Sequence, residues 1–337
     1  MKVRDFVKSE ASLRARVKFY RQRVSEIQKY VSSYPLEWGR FQSEFNQEIN
    51  GIFRDLMLFE KENIKHGNEE KVYKLKMFFV RWLRSDFVKG RYLTHSLEKP
   101  YGYAGDFEII DMIYRNSPNS SGLERLYDNY FQMSAISIAV RNRKEDFKKI
   151  ILDFVRKSPK KNIKIMDLAS GPCRDVCELL SVGHLESKKV QFDCYDSDPS
   201  SIKYARKLIK DHPSVTFFNQ NAIRIALMKD IVAKIPQRYD VVFSTGLFDY
   251  LDYGVSVRLI QNLKKILSKN GALVISDVRD KFSNPSIYFM EWVADWSLIY
   301  REDDEFRNIF LDAGFTENNL SCSYEQQGVM QYVLATN

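Results

Sequence analysis

Apolar positions along the chain change their period near residue 160. Upstream, they recur at helical spacing, as at Phe41, Phe45, Ile49, Ile52 and Phe53, with few glycines or prolines between them. Downstream, short apolar runs alternate with longer amphipathic stretches. Residues 163–167, 190–195, 215–218, 239–244 and 271–277 each read as a buried parallel strand. Residues 320–324 and 329–335 flank 325–328 and read as a terminal hairpin. This predicts an α/β fold, a seven-stranded sheet with a C-terminal antiparallel hairpin, plus an N-terminal α-helical domain. The expected division is 1–125 for a helical cap, lid or dimerisation domain and 126–337 for the α/β domain.

The most informative stretch is 163–175, IKIMDLASGPCRD. It reads as strand, small-residue turn and helix start, the order of a nucleotide-binding unit. Small residues suit a turn whose backbone must approach a ligand. The second strand ends in Asp196, placed to accept hydrogen bonds from both hydroxyls of a ribose. The run resembles motif I of class I S-adenosylmethionine (SAM) methyltransferases, [DE]xGxGxG. Asp167, Ala169, Gly171 and Cys173 fall on its four positions, with Ala169 and Cys173 replacing two glycines. The hairpin fits the Rossmann-like sheet of that class.

The resemblance implies further cofactor contacts. Asn221, after the third strand, matches the side chain that bonds the adenine amino group. Ser197, Ala222, Ser244 and Thr245 stand at the other strand ends, and the loop 245–251 (TGLFDYL) is expected to touch cofactor and substrate, with Phe248 on the substrate side. A single helix is predicted over 127–144, ending in Arg141 and Arg143, either of which suits the methionine carboxylate of SAM.

Two aromatic segments stand out. KPYGYAGD (99–106) interrupts helical sequence and carries Tyr103, just after His95. NPSIYFMEWVADWSLIY (284–300) supplies Tyr288, Glu291, Asp295, Trp296 and Tyr300 as substrate-wall candidates. At helical spacing Glu291 and Asp295 share one face, and Trp292 and Trp296 the adjacent one. Together with AVRNR (139–143) and DLASGPCRD, these segments resemble the bacterial family of extracellular-factor 3-hydroxypalmitic acid methyl ester biosynthesis proteins, from about residue 99 onward. The resemblance implies in-line SN2 methyl transfer from SAM to a small-molecule acceptor: a carboxylate, hydroxyl or amine, a hydroxy fatty acid among them. A carboxylate acceptor needs no base. A hydroxyl or amine needs one, with His95, Glu291 and Asp295 as candidates and Tyr103 beside them.

Charge adds an alternative. The net charge of +8 sits wholly in residues 1–100, which carry 21 basic and 13 acidic side chains, against 31 of each in the rest. The basic residues are interleaved with Glu, which favours a solvated lid or a homodimer surface over nucleic acid. An RNA or protein methyltransferase using that basic face is the competing enzyme reading. A catalytically silent binding module is the other, suggested by the replaced glycines. The 4 cysteines make no disulfide framework, and Cys173 and Cys177, four apart, read as helix packing rather than metal ligands. MKVRDFVKSE lacks an apolar signal region, and no apolar run reaches membrane-spanning length, so the sequence predicts a soluble, cytoplasmic protein.

Overall fold

The computed structural model describes residues 7–181, 185 and 188–337, so the first six residues of the expected helical domain lie outside the described residues. The chain forms two compact units: Met1–Ile138 with Asn284–Ser297, and Ala139–Ser283 with Leu298–Asn337. The expected boundary after residue 125 thus differs from this division by residues 126–138 and by the aromatic segment at 284–297.

The first unit is helical. Its helices are α1 (Glu10–Ser33), α2 (Gln42–Lys65), α3 (Glu69–Trp82), α4 (Arg91–Glu98), α5 (Phe107–Arg115) and α6 (Gly122–Met133). Helix α1 starts in a capping box between Ser9 and Ser12 and buries Leu13, Val17, Tyr20, Val24, Ile27 and Val31 at three- and four-residue spacing. The core is aromatic. Tyr20 stacks on Phe87 at 4.8 Å between ring centroids, and Phe45 meets Tyr127 edge-on at 4.8 Å.

The segment 284–297 packs into this helical core. Phe289 lies 5.0 Å from Tyr130 and 6.0 Å from Phe53, and Trp292 lies 5.6 Å from Phe79. Phe289–Val293 winds as a π-helix, with the Ala294 N–H donating to the Phe289 carbonyl. The wider turn breaks the expected spacing. Glu291 is buried while the Asp295 side chain is 58% exposed, at φ +52, so the two carboxylates do not share a face. The single helix expected over 127–144 is also corrected. Ser134 adopts an extended ψ of 146° and separates α6 from α7 (Ala135–Lys157). Its hydroxyl donates to the Phe131 carbonyl and accepts from the Ser137 N–H, so local side-chain bonding outcompetes helix continuation.

The second unit is a seven-stranded sheet in the order β3-β2-β1-β4-β5-β7-β6. Its strands are β1 (Asn162–Leu168), β2 (Lys189–Asp196), β3 (Val215–Asn219), β4 (Tyr239–Ser244), β5 (Leu267–Val278), β6 (Leu320–Tyr324) and β7 (Met330–Thr336). The first five pair in parallel, and β7 is antiparallel to both β5 and β6. Helices α8 (Arg174–Ser181), α9 (Pro199–Ile209), α10 (Ala222–Ala226), α11 (Ile231–Lys234), α12 (Tyr253–Ile266) and α13 (Asp303–Asp312) complete the unit. The fold is an α/β class I methyltransferase fold with an N-terminal helical region. Strand β5 begins earlier than expected, and the Lys-Asn-Gly at 269–271 is a bulge within it, marked by a register shift at Tyr239/Val241. Glycine is required there, because a Cβ on Gly271 would lie 2.9 Å from the Ser268 carbonyl oxygen. Among the described residues, no helix is long and apolar enough to cross a membrane.

Truncating Trp292, which is 1% exposed, should cost the helical unit about 3–5 kcal/mol. Urea unfolding followed by tryptophan-independent far-UV dichroism should record that loss for Trp292→Ala. A cost under about 1 kcal/mol would mean the segment only rests on the surface.

Candidate functional site

The parallel strands of a doubly wound sheet bring their carboxyl ends to one edge, where ligands bind. Leaving β1, the chain turns through Ala169, Gly171 and Cys173 at φ +57, +53 and +51. All three glycine positions of motif I therefore adopt the left-handed conformation, although two hold side chains. That conformation is why glycine suits these positions, and Ala169 and Cys173 occupy it at a cost of about 1–2 kcal/mol each. Cys173 stands immediately before α8, and its carbonyl accepts the Cys177 N–H at 2.9 Å, so the two meet at the start of that helix.

Asp196 holds the turn from below. Its Oδ2 accepts from the Gly171 N–H at 2.8 Å and its Oδ1 from the Asp198 N–H at 2.9 Å. Ser201 donates to the Gly171 carbonyl at 2.8 Å, and the Ser170 N–H to the Tyr195 carbonyl at 3.1 Å. Above the turn there is space: no atom lies within 4 Å of a Cβ built on Gly171. Asp167 Oδ2 and Ser170 Oγ are buried and make no hydrogen bond. A turn with an open glycine and unsatisfied polar atoms fits a polar ligand such as the methionine and ribose parts of SAM.

Electrostatics at this turn are dominated by burial. Burial, reinforced by Asp175 and other neighbours, pushes the Asp167 carboxyl well above the usual carboxylate range. Burial also raises Asp196 and pushes Asp175 up to about 6. A hydrogen bond with Cys173, and burial, push the Cys194 thiol up. Asp167, Cys173 and Cys194 bring their ligand atoms within 4.8 Å of one another.

The other strand ends are tied down. Asn221 caps α10, its side chain accepting from the Ile223 and Arg224 N–H groups, which leaves its amide N–H donors for other partners. Asn219 donates to the carbonyls of Asp196 and Ser197. Ala222 is buried. The Ser244 hydroxyl donates to the Leu168 carbonyl at 2.7 Å and so bridges β4 and β1, while the Thr245 carbonyl accepts from Ser276.

Sequence reasoning missed a buried charge cluster at the ends of β4 and β5. Asp249 Oδ1 accepts from the Val278 N–H, and Arg143 lies 3.7 Å from its Oδ2. Arg301, 1% exposed, pairs with Asp277 at 2.9 Å and donates to the carbonyls of Phe248 and Leu251. Burial and the adjacent Asp249 push Asp277 well above the carboxylate range. One signal was available: Asp277 ends a buried strand, as Asp167 and Asp196 do. Arg143 keeps a buried Nε without a partner and runs alongside Gly246. Arg141 is half-buried, Phe248 is buried and Tyr300 is half-buried in the same unit.

The remaining candidates belong to the helical unit. His95 Nε2 lies 3.0 and 2.9 Å from the two oxygens of Asp106, and that hydrogen bond raises its pKa. Asp106 also caps α5, so the pair fixes the 99–106 segment. Tyr103 is exposed. Glu291 lies 3.8 Å from Lys76, and Asp295 pairs with Lys99 at 2.8 Å. Tyr288 and Trp296 are buried.

Residues 159–326 match the family model of a methyltransferase domain. The chain carries a class I, SAM-dependent methyltransferase domain. A possible exported protein from Bordetella parapertussis has a similar structure, at 19% identity over 78% of this chain and 95% of that one, with a TM-score of 0.59. An O-methyltransferase family protein from Burkholderia thailandensis matches at 16% identity over 60% and 59% of the two chains, TM-score 0.41. The magnesium protoporphyrin IX methyltransferase of Synechocystis, with bound SAM, matches at 12% identity over 60% and 83%, TM-score 0.41. No curated protein matches the chain. The methyltransferase domain keeps the motif I backbone path despite its two non-glycine residues.

Relieving the strain at the turn should stabilise the domain. Ala169→Gly removes the left-handed penalty and adds a smaller unfolded-state entropy, a net gain of about 0.5–1 kcal/mol in urea unfolding. A loss would mean the alanine methyl makes contacts worth more than the strain.

Asp175 gives a pH test with a defined sign. Its folded pKa, about 6, lies above the unfolded value of 3.8. Its contribution is therefore complete below pH 4, falls as pH rises through 6, and amounts to about 3 kcal/mol lost at pH 7. Asp175→Asn should remove that slope from unfolding free energies measured at pH 4 to 7. An unchanged slope would assign the titration elsewhere.

Proposed function

We propose that this chain transfers a methyl group from SAM to a small-molecule acceptor. The observation that carries the reading is the turn at 169–173: three left-handed residues, an open Gly171 and the Asp196 carboxylate beneath them. Asp196 keeps a second lone pair on each oxygen for the two ribose hydroxyls. Asp167 and Ser170 offer buried, unsatisfied groups to the amino-acid end. Arg143 is suited to a carboxylate, having a buried Nε without a partner. Ala222 and the Asn221 amide suit the adenine. SAM supplies an electrophilic methyl on a sulfonium. The protein's task is to orient the acceptor in line with it and exclude water.

Acceptor recognition is proposed for Tyr103, Tyr288, Glu291, Asp295, Trp296, Phe248 and Tyr300. Glu291 is the preferred candidate for orienting or deprotonating a polar acceptor, being a buried carboxylate with Lys76 3.8 Å away. His95 is the second candidate, although its bond to Asp106 already engages one ring nitrogen. A small molecule is favoured over nucleic acid because three of the four α1 arginines are committed to carboxylates: Arg16 to Glu48, Arg21 to Asp86 and Arg23 to Glu44.

Titration calorimetry tests the cofactor assignment. Asp196→Ala deletes two charge-assisted bonds of about 1.5–3 kcal/mol each and should weaken SAM and S-adenosylhomocysteine at least 100-fold. Unchanged affinity in a variant with native dichroism would remove the reading. Glu291→Gln should depress turnover while leaving SAM affinity within about twofold. Activity that returns as pH rises marks a base, and a pH-independent loss marks an orienting group.

A further inference from the structure

The sheet ends at β6, and among the described residues no strand pairs with its outer edge. Exposed edges usually carry a lysine, a proline or a bulge that prevents pairing with another chain. Strand β6, Leu-Ser-Cys-Ser-Tyr, has none of these, and its last four residues are exposed.

The hydrogen-bond phase of the strand can be read from its end. The Glu325 N–H donates to the Met330 carbonyl across the hairpin. In an antiparallel pair the bonded residues alternate, and the register pairs Ser323 with Tyr332 and Ser321 with Leu334. Ser321, Ser323 and Glu325 therefore bond inward to β7. The N–H and C=O groups of Leu320, Cys322 and Tyr324 face the open edge.

That edge is complementary to itself. Two copies meeting antiparallel with Cys322 opposite Cys322 place Leu320 opposite Tyr324 on both sides, and every outward-facing residue meets an outward-facing residue. Ser321 falls opposite Ser323. The five residues read as apolar–Ser–Cys–Ser–aromatic, so none of the strand's own side chains brings a charge to the two-fold axis. We propose that the occupant of this edge is a second copy of the chain, and that β6 pairs with β6 about a two-fold axis at Cys322 to make one continuous fourteen-stranded sheet.

Pairing of five residues buries less than the roughly 1,000 Å² of a stable dimer, so the association should be reversible in the micromolar range. Opposed residues at a bonded antiparallel site have Cα atoms about 5.5 Å apart, within the span of a disulfide. Cys322 is exposed, whereas Cys173 and Cys194 are buried and Cys177 is half-buried. Diamide should therefore oxidise two Cys322 thiols, one per chain, to a single intermolecular disulfide, with the electrons and protons passing to the diazene.

Sedimentation velocity of the full chain from 1 to about 100 µM tests the proposal, together with diamide cross-linking read on non-reducing gels. The expected result is a concentration-dependent dimer, and a covalent dimer that Cys322→Ser abolishes. Ser321→Lys with Ser323→Lys sets lysines opposite one another across the axis and should leave a monomer. Methyl transfer is not needed for either readout. A chain that stays monomeric at 100 µM and gives no Cys322 cross-link overturns the proposal. So does a dimer that survives the double lysine substitution without the cross-link, which would place the interface elsewhere, as on the N-terminal helices.

Discussion

One hydrogen bond organises the cofactor side of this protein: the Gly171 N–H donating to Asp196 at 2.8 Å. It joins the turn after β1 to the end of β2. A turn that reverses direction through three left-handed residues has little support of its own. The carboxylate below it, the Ser201 hydroxyl and the Tyr195 carbonyl hold it in one path. Two of the three left-handed positions can then hold non-glycine residues, because the surrounding bonds fix the backbone that strain would otherwise release. Sequence degeneracy at motif I thus does not entail structural degeneracy.

A second constraint acts on the other half of the site. The loop after β4 is held by charge rather than by turn chemistry. Arg301 donates to two of its carbonyls, Asp249 accepts from Val278, and the Ile299 N–H reaches back to the Asp249 carbonyl. Burial, reinforced by the neighbouring Asp249, pushes the Asp277 carboxyl well above the usual carboxylate range. Beside this cluster Arg143 lies 3.7 Å from Asp249 and keeps a buried Nε without a partner.

The fold was largely legible in the sequence because strand burial and turn chemistry are local. The seven strands, the small-residue turn and the terminal acids Asp167 and Asp196 could all be read from runs of a few residues. What was not legible depended on alternatives that differ by little locally. Ser134 ends α6 through its own hydroxyl, yet a serine in an apolar stretch reads equally well as helix. The π-turn at 289–293 needs one extra residue per turn, which the 3.6-residue pattern cannot reveal, and it reverses the exposure of Asp295. The Arg143–Asp249–Asp277–Arg301 cluster joins four residues spread over more than 150 positions, and no spacing rule reaches that far. The candidate residues divide in the same way: the strand-end turn is local in sequence, whereas the burial of Glu291 and the exposure of Asp295 depend on tertiary packing.

The segment 284–297 ties the two units together in sequence. It follows β5 of the methyltransferase domain in sequence, yet Phe289 and Trp292 are core residues of the helical unit. The chain therefore leaves the α/β unit after β5, completes the helical core and returns before α13. Neither unit is a continuous stretch of chain, and the helical unit is not a detachable N-terminal addition. A change in residues 1–138 that alters the aromatic core alters the setting of Glu291 and Trp292 as well. The setting of Glu291 is thus fixed by the packing of the helical unit, whereas the strand-end turn and its Asp196 carboxylate are held by bonds made wholly within the α/β unit.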